Sequence, residues 1–364
     1  MQKSRQTKDD FRFLSELVLG ASDPPASSNR ITDPARQLTP SEFEGVAALA
    51  AKNHVVIRAF TRLKELLGND GSNVADQLSL TIEKEDARIH HALGFLECIC
   101  DTLEQNGCAV TVIKSLDHWP DLGSDLDLYT DADPAQVVEV MRKQFQAKVD
   151  DRSWGDRLAN KWNFVVPGLP ELVEVHVGRL GQTGEQTILT KSLTRRTRYF
   201  RVGRHSFRVL APEDRIIIST LQRMYRHFYI RLCDVIDNAR LVESECVDFT
   251  YLHSLGAAAG IWEGIATYLT IISGYVEAFR SHGLHLLPAL VTGSAKFGAD
   301  QVHYRRDFLR VPILPHSLNL YAGELRTLVM RGDVRNSLRL SLLPGLATAA
   351  ALELKITGSD KGIW

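Results

Sequence analysis

Apolar positions recur at helical spacing over most of the chain and give way to short β-branched runs in its middle third. Thr39-Pro40-Ser41-Glu42 predicts a helix start, with Thr39 as cap and Pro40 in the first turn. Val46, Leu49, Ala50, Val55, Ile57, Phe60, Leu63 and Leu67 carry that helix onward. A short helix over Asp10–Leu19 precedes it, and the Ser-, Pro- and Asp-rich stretch 21–40 predicts the joining loop. Glu85–Asn106 predicts another helix: Ile89, Leu93, Leu96, Ile99 and Leu103 form one stripe, and Gly107 is the stop.

Beyond Gly107 the pattern predicts strands at Ala109–Ile113, Leu126–Tyr129, Trp162–Val166 and Leu172–Val177, with a helix at Pro134–Phe145 among them. Pro167-Gly168-Leu169-Pro170 suits a hairpin turn between the last two strands, and Gly203-Arg204 suits one between Tyr199–Val202 and Ser206–Leu210. From Pro212 onward the period is helical. The expected class is α+β: an N-terminal helical region (1–84), a small mixed-sheet core (85–210) and a C-terminal helical domain (211–364).

Composition narrows the function. With 43 basic and 44 acidic side chains, 44% hydrophobic and 24% charged residues, the chain can bury a core. A net charge of −1 supplies no overall field toward nucleic acid or an anionic membrane. Five cysteines without C-x-x-C spacing argue against a disulfide framework or structural zinc, and predict reduced, buried thiols. Met1–Asp10 lacks the apolar run of a secretory signal, so a cytoplasmic protein is expected. The apolar stretch Leu255–Val276 contains Glu263 and several glycines, and reads as a core helix rather than a membrane span.

The segment Gly123-Ser124-Asp125-Leu126-Asp127-Leu128 carries the chemistry. On a strand Asp125 and Asp127 project from one face while Leu126 and Leu128 take the other. Their mutual repulsion is relieved by shared divalent cations, and hard oxygen donors at this spacing suit Mg²⁺ ions about 3.5–4 Å apart. Leu172-Val-Glu-Val-His-Val177 supplies a third acid, with Glu174 and His176 on one face. A calcium loop fails, because the sixth and twelfth positions are Thr130 and Gln136. A solvated turn holding Asp121, Asp131 and Asp133 is the plain alternative for an isolated D-x-D.

The ordered set Ile113-Lys114-Ser115, Gly123-Ser124-Asp125-Leu126-Asp127 and Glu174-Val175-His176 resembles the DNA polymerase β-like nucleotidyltransferases, and more closely their branch of bacterial uncharacterised nucleotidyltransferases. Ala211–Asp214, Tyr225-Arg226-His227 and Leu232–Arg240 are similar to that branch's helical region, so the likeness spans roughly residues 40–280. Two positions depart from it: Ser115 replaces a glycine, and no arginine stands in Trp119–Ser124. The resemblance implies that Asp125, Asp127 and Glu174 hold two Mg²⁺ ions and that Lys114, Ser115, Ser124 and His176 contact the nucleotide. It also implies transfer of a nucleoside monophosphate from a nucleoside triphosphate to a hydroxyl of a small molecule, protein or RNA. A catalytically silent binding or scaffold protein, and a toxin-like transferase acting on tRNA, are the competing readings.

Between Lys191 and Arg208 stand seven Lys and Arg residues and no acid, with Tyr199, Phe200 and Phe207 interleaved. A hairpin edge guarded by arginines accounts for the run, and a nucleic-acid contact is the sharper alternative.

Overall fold

The computed structural model describes residues 2–20, 34–68, 74–180, 186–244 and 247–357, so most of the expected loop 21–40 and Cys246 fall outside it. Four helices open the chain: α1 (Gln2–Leu19), α2 (Pro40–Lys52), α3 (Val56–Leu67) and α4 (Ala75–Gln105). Thr39 caps α2 as a full capping box: its backbone N–H donates to Glu42 Oε2 at 2.9 Å, and Glu42 N–H donates to its hydroxyl at 3.3 Å. The single helix expected through Leu67 breaks instead at Asn53-His54-Val55. Asn53 is fully buried: its amide donates to the Leu49 and Asp307 carbonyls at 3.0 and 3.1 Å, and its oxygen accepts from Leu232 N–H at 3.1 Å. These distant partners outweigh helix continuation, and His54 takes a positive φ of 52°. Helix α4 begins ten residues before the expected start at Glu85.

Next come β1 (Val110–Val112), β2 (Asp125–Thr130), α5 (Pro134–Phe145), β3 (Lys148–Val149), α6 (Trp154–Ala159), β4 (Lys161–Val165) and β5 (Leu172–Val177), then α7 (Gln186–Leu193), β6 (Thr197–Val202) and β7 (His205–Leu210). The seven strands form one mixed sheet in the order β3-β4-β5-β2-β1-β7-β6. Both expected hairpins are present: β4 pairs antiparallel with β5, and β6 with β7. Strands β2 and β5 run parallel, with Asp127 opposite Glu174 and Tyr129 opposite His176. Alternation then sorts the faces. Leu126, Leu128, Val173 and Val175 pack under α4 and α5 beside Leu93, Leu96, Ile99 and Met141. The other face carries the acids at one end; farther along, Tyr129 packs with Ile113, Leu193, Leu210 and Ile218.

The C-terminal part holds α8 (Pro212–Thr220), α9 (Leu232–Ser244), α10 (Phe249–Ala259), α11 (Trp262–Glu277), α12 (Leu318–Met330) and α13 (Val334–Thr357). The expected, almost entirely helical texture has one exception among the described residues. Strand β8 (Tyr229–Ile230) joins β9 (His303–Arg305) and β10 (Phe308–Arg310) in a three-stranded sheet whose strands are too short to leave a period in the sequence. The apolar stretch Leu255–Val276 is likewise two helices, broken at Gly260 with φ +78°. No helix among the described residues is long and apolar enough to cross a membrane. Helices α1, α3, α9 and α11 share one buried cluster through Phe11, Leu14, Phe60, Leu63, Cys233, Tyr268 and Ile272, so the two ends of the chain meet in one core. Of the four described cysteines Cys98 is exposed, against the expected burial, because it sits off the apolar stripe of α4.

Replacing Asn53 with alanine leaves the buried Leu232 N–H without its acceptor. The expected loss is about 2 kcal/mol in urea unfolding; a loss below about 0.5 kcal/mol would show that the α2–α3 break does not depend on this side chain.

Candidate active site

Asp125 and Asp127 leave β2 on the face shared by Glu174 and His176 of β5, as alternation and the parallel register require. Asp127, Glu174 and His176 bring ligand atoms within 4.8 Å of one another. Asp125 stands next to them: burial first, then the charges of Glu174 and Asp127, push its carboxyl up to about 6. Both ring nitrogens of His176 are buried without a hydrogen-bond partner, and its Nε2 lies 3.5 Å from Asp127 Oδ1. Burial and the Lys114 charge hold His176 well below the usual imidazole range, so one of its ring nitrogens keeps a free lone pair at neutral pH. Hard carboxylate oxygens beside an available imidazole nitrogen fit a divalent cation.

Two lysines now offset the repulsion. The Lys114 ammonium is in ion-pair contact with Asp127 Oδ1. Lys161, on β4, reaches Glu174 at 2.8 Å and Asp156 at 3.0 Å; burial opposes its charge, but these two acids hold its pKa above the ordinary value. Lys114 occupies an uncommon backbone state, φ +60° and ψ −57°, and Ser115 N–H donates to the Ile113 carbonyl at 2.6 Å, which makes a strained γ-turn. Such turns cost about 1–3 kcal/mol and persist where their surroundings enforce them. Here the enforcing group is Ser115. Its hydroxyl donates to the Asp125 carbonyl at 3.1 Å and accepts from Asp127 N–H at 2.7 Å, tying the turn to the D-x-D strand. Both donors of Ser115 are thereby used inside the protein.

The β1–β2 loop is fixed from behind. Asp121 accepts from the Ile57 and Arg58 N–H groups at 2.7 and 3.3 Å, and Arg88 donates to the Leu122 and Gly123 carbonyls at 3.1 and 3.4 Å. His118 Nδ1 lies 2.5 Å from Asp237, which also pairs with Arg58 at 2.7 Å. Ser124, at the end of this loop, donates to Asp125 Oδ2 at 3.2 Å and lines the cleft.

The cleft itself, about 220 Å³, has its acids on the sheet side and a cationic wall opposite. That wall comes from the π-helical turn Leu221–His227 and from β8 with its flank, through Gln222, Arg223, Arg226, His227, Tyr229 and Arg231. π-Helical turns concentrate at functional sites. Arg223 is paired with Asp234 at 2.7 Å and Arg231 with His54 at 2.7 Å, whereas Arg226 Nε has no hydrogen-bond partner. Counting Lys114 and Lys161, five cations face three carboxylates. No arginine stands just before the D-x-D, and the cleft's arginines come from the C-terminal region. Of the candidate residues, Lys114, Ser115, Ser124, Asp125, Asp127 and Glu174 line the cleft; His176 sits behind its wall. Lys161, Arg223 and Arg231 were missed. Tyr225-Arg226-His227 stood out in the sequence without an assigned role.

Comparison with known families supplies the context for this geometry. The profile of a family described as uncharacterised nucleotidyltransferase matches residues 39–273, more than half of the chain. The chain belongs to this family. The match takes in α2 through most of α11, and therefore every cleft residue named above. It makes the protein a transferase of the nucleotidyl class. No curated protein and no solved structure matches the chain.

Asp125 has a folded pKa above its unfolded value, so protonation favours the fold: its contribution is present below pH 4 and is lost as pH rises through about 6. Asp125→Asn is expected to stabilise the metal-free protein at pH 7.5 by about 1 kcal/mol after allowance for partial exposure, and to be neutral at pH 4, in urea unfolding with chelator present. A pH-independent difference would refute this. Lys114→Met is expected to tighten Mn²⁺ binding several-fold by calorimetry, because an ammonium no longer competes for Asp127; unchanged affinity would count against that competition.

Proposed function

We propose that the protein transfers a nucleoside monophosphate from a nucleoside triphosphate to a hydroxyl acceptor, releasing pyrophosphate. One observation carries the reading above the others: three carboxylates from two strands in fixed register face a wall of arginines and lysines across a single cleft. The cleft is too cationic to favour a neutral ligand and too acidic on one side to hold a bare polyanion, and it matches a triphosphate that arrives with its metal. In this reading Asp125, Asp127 and Glu174 hold a pair of Mg²⁺ ions, which neutralise triphosphate charge and make an acceptor hydroxyl easier to deprotonate when bound.

Arg226, with Arg223 and Arg231 beside it, grips the β and γ phosphates. Lys114 leaves Asp127 for the triphosphate when the acids take their metal, and its strained turn is the spring point of that change. Ser124 donates to a phosphate oxygen from the rim. Ser115 acts at one remove, by holding Lys114 and Asp127 in register, and His176 steadies Asp127 from below. The acceptor oxygen attacks the α-phosphorus in line; the new O–P bond forms as the bond to the pyrophosphate oxygen breaks, and the hydroxyl proton passes to the carboxylate cluster. Lys161 holds Glu174 in place through their ion pair.

The test is pyrophosphate release from each of the four triphosphates against a cell extract, with wild type, Asp127→Asn and Glu174→Gln. A fall of at least 10³-fold in both variants, with far-ultraviolet circular dichroism unchanged, and a similar loss on metal chelation are expected. Equal release in the variants would overturn the assignment. Metal-linked nucleotide binding without release from any triphosphate would favour the binding-protein reading.

A further inference from the structure

Strand β6 is an edge of the seven-stranded sheet and pairs with β7, and their register decides which side chains point where. Phe207 and Val209 face the core under α4, as does Val202 of β6. Tyr199 and Arg201 lie on the opposite side, across from Arg208 and Ser206. Tracing the pairing from β7 through β1 to β2 puts that side on the same sheet face as Asp125 and Asp127; Tyr199 is level with Tyr129, three strands or about 14 Å away, and the two acids lie farther along β2.

Tertiary acids cancel part of the positive charge that the sequence shows here: Glu213 meets Arg196 at 2.8 Å and Glu104 meets Arg208 at 3.1 Å. Lys191, Arg195, Arg201 and Arg204 remain exposed, and none of them has an ion-pair partner among the described residues. Between them Tyr199 is 71% exposed, an uncommon cost for a large ring on a strand that also offers unpaired backbone groups. Arginines alone would guard the edge; the exposed ring adds a stacking surface. Four exposed cations along the hairpin and its approach, with Arg201 on the face of one bare aromatic ring, match a single strand of nucleic acid, whose phosphates answer the charge and whose unstacked base covers the ring. Unpaired ends and loops of this kind are the usual recognition targets in RNA.

We infer that the outer face of the β6–β7 hairpin docks single-stranded RNA. Its role as acceptor rests on the transferase reading above and on a strand long enough to pass α7 and α8, whose Leu193 and Ile218 cover Tyr129 between the hairpin and the carboxylates; the docking itself does not.

The experiment uses the full chain and a fluorescein-labelled 12-nucleotide oligouridylate, read by anisotropy between 50 and 200 mM KCl. Four neutralised phosphates give a slope of log affinity against log salt of about −3, and Arg201→Gln should lower its magnitude by about 0.7. Tyr199→Ala should weaken binding about tenfold, with Tyr199→Phe restoring it. No binding at 50 mM KCl, full affinity in Tyr199→Ala, or equal affinity for a duplex of the same length would overturn the inference. The same proteins are titrated with each triphosphate and Mg²⁺, and the unlabelled oligonucleotide is assayed for label from α-³²P triphosphates. RNA binding and triphosphate binding without label transfer overturn the acceptor role. If the wild type binds no triphosphate, the transferase reading falls instead, and the RNA affinity stands or falls on its own data.

Discussion

Asp127 and Glu174 are held side by side by the parallel pairing of β2 with β5, and the rest of the site answers to that pairing. Like charges directly opposite on a sheet destabilise it. The fold tolerates them because Leu126, Leu128, Val173 and Val175 on the reverse side are buried under α4 and α5, and a one-residue slip would turn those apolar side chains outward. The apolar face therefore enforces the acidic one. Lys114 and Lys161 neutralise the cluster in part, and burial together with the remaining repulsion raises the pKa of Asp125.

The same logic explains the Lys114-Ser115 turn. A glycine after the lysine would allow close backbone approach, but serine does something glycine does not: its hydroxyl bridges the turn to β2 on both sides of Leu126, at the Asp125 carbonyl and the Asp127 N–H. The strain at Lys114 is sustained by two hydrogen bonds to the strand it serves. Behind it, Asp121, Arg88 and the His118–Asp237–Arg58 set clamp the loop that delivers Gly123 and Ser124. These clamps come from α3, α4 and α9, so the N-terminal and C-terminal helices position the D-x-D from both sides.

Much of this was open to the sequence, because it is local. The Thr39 cap, the hairpins at Gly168 and Gly203-Arg204, the helix from Pro134 to Phe145, and the shared face of Asp125 with Asp127 and of Glu174 with His176 depend on neighbouring residues and a known repeat. Where expectation failed, the deciding partner was remote. Asn53 breaks a helix through bonds to residues 232 and 307, β8 to β10 gain strand form only from one another, and the Lys191–Arg208 run loses charge to acids on α4 and α8.

Period and turn chemistry thus fixed which residues are carboxylate donors and on which side of their strands they stand. Only the assembled fold chose the strand order that sets Asp127 against Glu174, brought Lys161 to their side and swung Arg223, Arg226 and Arg231 across the cleft. The reason is one of range. Backbone sterics and side-chain alternation act over a few residues, whereas strand pairing, burial and ion pairing join residues separated by a hundred positions, and no repeat in the chain encodes those distances.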